Sequence, residues 1–147
     1  MSQTAELTRF LHAHIPLSQA MQITARAYDG QSLVLSAPLA PNVNDKSTAF
    51  GGSLYNLAVL CGWSLLRLKL YEAGMEKKNI VIQEANTRYL LPVSGELQAE
   101  CRLVPEAWQD FLQPLQQRGR ARITLNIIIR QQDKPAVELT GTYVALD

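Results

Sequence analysis

Only two cysteines occur among the 147 residues, Cys61 and Cys101, and no CxxC spacing relates them. That excludes a disulfide framework or a cysteine metal site as the organising feature, and two thiols set in apolar patterns point to a reducing, cytoplasmic setting. Histidine is equally scarce. His12 and His14 stand together on the first predicted helix, away from any carboxylate cluster, so they are read as solvated, and no metal or other cofactor is called for. An excess of one charge is missing too: fourteen basic against thirteen acidic side chains leave +1, interspersed along the chain, which argues against nucleic acid and anionic membranes as partners. No apolar run reaches the ~20 residues needed to cross a bilayer. No basic start followed by an apolar run and a cleavage site, no repeat and no low-complexity tract interrupts the pattern. A soluble single domain over residues 1–147 with one core is expected.

What is present is one unusual stretch, Asn42 to Leu70. A polar loop runs into Gly51-Gly52 and then into a helix with almost no solvent face, because Tyr55, Asn56 and Ser64 are its only polar side chains from Leu54 to Leu66. Such a helix must be wrapped, most simply by a sheet. With Ser47 or Thr48 as N-cap and Gly74 beyond its end, it would run from near Phe50 to Ala73, roughly 36 Å for about 24 residues.

The flanking segments supply the sheet. Thr4 to His14 reads as a short amphipathic helix with Thr4 as its N-cap and Leu7, Phe10 and Leu11 on one face. Met21 to Ala27 and Leu33 to Ala37 alternate with period two across Asp29-Gly30, a hairpin signal. After the long helix come strand candidates Asn79–Leu90, Leu97–Leu103, Ile123–Ile129 and Val137–Ala145, with an amphipathic insert from Glu106 to Gln117 whose last turn Pro114 puts in question. Six strands around one central helix are too few helices for a parallel sheet; an α+β fold with one curved antiparallel sheet follows.

Two motifs then carry a resemblance: Phe50-Gly51-Gly52-Ser53-Leu54 at the helix start, and Tyr89-Leu90-Leu91-Pro92-Val93-Ser94-Gly95-Glu96-Leu97 between the next two strands. In type and spacing the chain resembles hotdog-fold thioesterases, and most closely the thioesterase domain that bacteria carry alone or behind an N-terminal acetyltransferase domain. The resemblance implies a six-stranded antiparallel sheet around the helix and hydrolysis of acyl-CoA or acyl-carrier thioesters. It also implies a homodimer or dimer of dimers paired through the third strand, with its sites at the helix N-terminus between subunits. A non-catalytic acyl-binding module of the same fold is the alternative.

Bare backbone N–H groups at a helix start suit a developing oxyanion, so Gly52, then Gly51, are the candidate donors; close helix–sheet packing is the other reason for two glycines. Relatives carry a histidine before the glycine pair and often a carboxylate two to three turns along the helix. This chain has Phe50 and then Val59, Leu60 and Cys61 there. That moves the candidate base to Asp45, provided the loop partly buries it; an aspartate in a loop turn is the equal alternative. Asn44, Ser53 and Asn56 are candidates to orient water or substrate, and Asn42 and Phe50 to line the site. Arg120 and Arg122, on one face of a strand, or Arg88, are candidates for coenzyme A phosphates, unless they form a solvated face.

Overall fold

The computed structural model describes all residues from Met1 to Asp147. Helix α1 (Gln3–His14) is capped by Ser2, whose Oγ accepts the Ala5 N–H at 3.2 Å. Thr4, the expected cap, lies inside the first turn instead, where its carbonyl accepts the Thr8 hydroxyl. Leu7 and Leu11 are buried and Phe10 is half-buried. His12 is not simply solvated: its Nε2 lies 2.7 Å from the Ile23 carbonyl oxygen. A short second helix, α2 (Pro16–Ala20), follows with proline in its first turn, a position that loses no hydrogen bond.

Strands β1 (Thr24–Tyr28) and β2 (Ser32–Ala37) form the expected antiparallel pair. Met21 and Ile23 are buried but precede the strand, because Gln22 takes φ 58° and breaks the extended run. At the turn Asp29 Oδ1 accepts the N–H groups of Gln31 and Ser32, and Gly30 supplies φ 95°. Helix α3 (Gly51–Glu72) is the buried axis, 22 residues long. Its Leu54, Leu57, Ala58, Cys61, Leu65 and Leu66 all lie in the core. Each buried leucine there stabilises the fold by about 1.5–3 kcal/mol.

Beyond it lie β3 (Asn79–Tyr89), β4 (Leu97–Arg102), α4 (Pro105–Arg118), β5 (Ala121–Gln131) and β6 (Lys134–Leu146). Pro114 does not end α4, which runs to Arg118 and stops at Gly119 with φ 76°. The six strands make one antiparallel sheet in the order β1-β2-β4-β5-β6-β3. Alternate residues of β5, Ala121, Ile123, Leu125, Ile127 and Ile129, point inward, and α3 packs against β2, β3, β4, β5 and β6. A sheet rolled around one helix in this way is the hotdog arrangement. β3 pairs only with β6, so its other edge is open.

Candidate active site

The site is built at the N-terminal end of α3. Phe50, rather than Ser47 or Thr48, occupies the N-cap position (φ −65°, ψ 133°), and no side chain caps the helix. Ser47 instead turns the loop with φ 66°, and Thr48 Oγ1 accepts a hydrogen bond from Asn44 Nδ2 at 2.8 Å. A serine, threonine, aspartate or asparagine at the cap is typically worth about 0.5–2 kcal/mol. The helix forgoes that stabilisation. Its first N–H to find a partner is that of Leu54, bonded to the Phe50 carbonyl at 3.1 Å, which leaves those of Gly51, Gly52 and Ser53 without a protein acceptor. Three free donors then coincide with the positive end of the helix dipole.

Each glycine is fitted by an aromatic ring. A Cβ on Gly52 would stand 2.4 Å from Phe50 Cε2, while one on Gly51 would meet the Tyr89 ring at 3.5 Å, an ordinary contact. Tyr89 Oη donates to the Gly51 carbonyl at 3.0 Å. Partial burial, and then the neighbouring Tyr55, push the Tyr89 hydroxyl above the usual phenol range, so it stays a donor at neutral pH. β3 thereby pins the first turn of α3.

The loop is tied down by hydrogen bonds from its two asparagines. Asn42 is only 2 % exposed; its Nδ2 donates to the Met21 and Pro38 carbonyls, and its own carbonyl accepts the Phe50 N–H at 2.7 Å. Asn44 Oδ1 accepts from Lys46 N and Thr48 N, so Asn44 makes the turn that sequence reasoning offered to Asp45. Asp45 is left at the tip. The expectation that the loop would partly bury it is corrected: its side chain is 81 % exposed and pairs with Lys46 at 3.1 Å. Ser53 is buried in the first turn and Asn56 half-buried one turn on.

Three buried side-chain oxygens lack a partner: Asn42 Oδ1 in the loop, Thr87 Oγ1 on β3 and, farther along α3, Ser64 Oγ. Thr87 is two residues before Tyr89 on the same face of the strand, so it looks toward the first turns of α3. Sequence reasoning passed over Thr87, and it quoted Tyr89 only as part of a motif. The signal available was a tyrosine closing a strand just before a proline turn.

The arginines stand elsewhere in the protomer. Arg88 is adjacent to Tyr89 in the chain but on the opposite face of β3, 4.0 Å from Glu138. Arg120 and Arg122 are exposed at the start of β5, where Arg122 pairs with Val144 and Val144 with Val81. That is the far end of β3: next to Val81, the Ile80 carbonyl accepts Trp63 Nε1, and Trp63 lies about 18 Å along α3 from Gly51. Gly51, Gly52, Phe50, the loop asparagines and Ser53 are brought together; Arg120 and Arg122 are not.

Comparison with known proteins adds a family and a set of folds. A family model described as putative thioesterase (yiiD_Cterm) matches residues 4–147. A protein of unknown function from Chlorobaculum tepidum is 38% identical, with 98% of this chain and 94% of that one covered and a TM-score of 0.93. A putative thioesterase from Shewanella oneidensis is 31% identical over 98% and 97% of the two chains, with a TM-score of 0.89. A probable thioesterase from Pseudomonas aeruginosa, 23% identical over 99% and 97%, shares the fold with a TM-score of 0.81.

Proposed function

The chain belongs to the family described as putative thioesterase (yiiD_Cterm), and from that membership we propose that it hydrolyses acyl thioesters of coenzyme A or an acyl-carrier protein. The observation that carries this reading is the uncapped start of α3, where the free N–H groups of Gly51 and Gly52 stand at the positive end of a buried helix. The thioester carbonyl oxygen accepts from Gly52, with Gly51 as the second donor, and water adds to the carbonyl carbon. The oxyanion so formed collapses, the carbon–sulfur bond breaks, and the thiolate leaves and takes a proton, giving acid and thiol. One preorganised donor of this kind is worth about 2.7–4 kcal/mol in the transition state.

Asn44, Ser53 and Asn56 orient the water or the acyl group in this reading. Asp45 remains the one carboxylate of the loop and assists as a base. Its exposure and its contact with Lys46 make that assistance small beside the polarisation of the carbonyl.

Pairing of two copies through β3 completes the proposal. An eleven-residue edge with exposed Val81 and Ile82 would otherwise invite uncontrolled association. Antiparallel pairing reverses the strand, so the end of one subunit that bears Arg120 and Arg122 would lie beside the Tyr89 end of the other and could serve a coenzyme A phosphate there. Arg88 is the alternative from the same subunit.

The direct test is thiol release from a panel of acyl-CoA and acyl-carrier thioesters by the purified full chain. Turnover is expected. A folded protein that copurifies with an acyl ligand and releases no thiol would replace this reading with the acyl-binding one.

A further inference from the structure

Phenylalanine is a poor N-cap, and Phe50 is also 56 % exposed, so neither helix stability nor core packing explains it. Its ring lies against the outer flank of Gly52, where a Cβ would otherwise be, and a Cβ leans toward the N-terminal end of its helix. The ring therefore stands beside the free Gly52 N–H. Val43 and Tyr89 are exposed neighbours around the same helix start, held there by the Val43–Ala49 bridge and the Tyr89–Gly51 hydrogen bond. Within the protomer the nearest cations point away or are engaged: Lys46 is paired with Asp45, and Arg88 faces the other side of β3; Arg120 and Arg122 of a paired copy are assigned to the coenzyme A phosphate, not to the acyl group.

We infer that Phe50 determines specificity: it keeps the start of α3 uncapped, so that the Gly52 N–H is free for the carbonyl, and walls that donor with an apolar ring. The site then takes acyl groups that are apolar beside the thioester carbonyl and rejects those that carry a second carboxylate. This rests on the reading that the helix start receives the thioester carbonyl. Thr87 Oγ1, on the same face of β3 as Tyr89, is buried without a protein partner.

Exchange of Phe50 separates the two halves of the inference. Phe50→Ser supplies a capping hydroxyl that accepts from the Gly52 or Ser53 N–H, which should raise Tm by about 2–4 °C while taking up a donor the carbonyl needs. Thiol release from hexanoyl-CoA should then fall by at least about tenfold in kcat. Phe50→Leu, apolar and unable to cap, should leave Tm unraised and keep the discrimination against a second carboxylate. The wild-type chain should prefer hexanoyl-CoA over succinyl-CoA by at least about tenfold in kcat/KM, and Phe50→Ser should narrow that preference.

A Phe50→Ser protein with no rise in Tm, or with a higher Tm and unchanged kcat, would overturn the inference, as would a wild-type chain that hydrolyses both thioesters equally. A wild-type chain that cleaves no thioester removes the proposed function itself, while the Tm of Phe50→Ser still reports whether the helix start was open to capping.

Discussion

Tyr143, fully buried on β6, crosses the central helix at Gly62: its hydroxyl donates to the Val59 carbonyl at 2.8 Å, and a Cβ on Gly62 would lie 2.5 Å from that oxygen. The glycine exists to let the ring through. Gly62→Ala gains about 1 kcal/mol in helix propensity but overpacks a ring that is fully buried and tied to the helix by its hydroxyl. Overpacking of this kind costs roughly 1–3 kcal/mol, and displacing the hydroxyl from its acceptor costs about 1 kcal/mol more. Denaturant unfolding should show a net loss of about 1–3 kcal/mol for Gly62→Ala, and a smaller loss when Tyr143→Phe is added, because the two sites share one contact. Strict additivity in that cycle would refute the account.

The two glycines of the site should respond differently to alanine. Gly51→Ala meets Tyr89 at an ordinary contact distance, so kcat should stay within about threefold of the wild type. Gly52→Ala drives against Phe50, which is exposed and can swing aside; the protein should fold with nearly unchanged Tm and lose at least about tenfold in kcat/KM. Equal effects at both positions would mean that Gly52 is not the privileged donor.

Exposed Asp45 gives a sharper test of the chemistry than a buried one would. Asp45→Ala should lower kcat by no more than about tenfold, since general-base assistance commonly contributes 10²–10⁴ only where the base is positioned on its proton. A loss of about a thousandfold would make Asp45 the base and require that something cover it in the working enzyme.

The fold was legible where local patterns agree with tertiary demand. Leu33 and Leu35, or Ile123 to Ile129, alternate because one face of the sheet is buried, and no competing period masks them. The apolar girth of α3 announced a wrapped helix for the same reason. The site was legible only in part. Ser47 and Thr48 look like caps because their chemistry suits one, yet Asn44 draws loop N–H groups to itself, and the helix begins three residues past Thr48, behind Phe50. Asp45 followed from that turn, which points it outward. Tyr89 and Thr87 reach the site across the sheet, and nothing in linear spacing reports which strand end lies over which helix turn.

Stability at high pH follows from groups held neutral in the core. Burial pushes the Cys101 thiol up to about 12, drives the Cys61 thiol well above its usual range, and raises the Tyr143 hydroxyl above the phenol range. In the unfolded chain thiols lose protons near 8.5 and phenols near 10, roughly. Above those values the unfolded state binds fewer protons than the native one, so the slope of unfolding free energy against pH is negative. The stabilisation is whole below about pH 8 and lost progressively as pH rises toward the folded-state values. Denaturant midpoints measured from pH 7 to 10.5 should fall with the first drop near the thiol range, and Cys61→Ala with Cys101→Ala should remove that first drop whatever it does to stability at pH 7. A flat profile in the wild-type chain would show that these groups are not held neutral by the core.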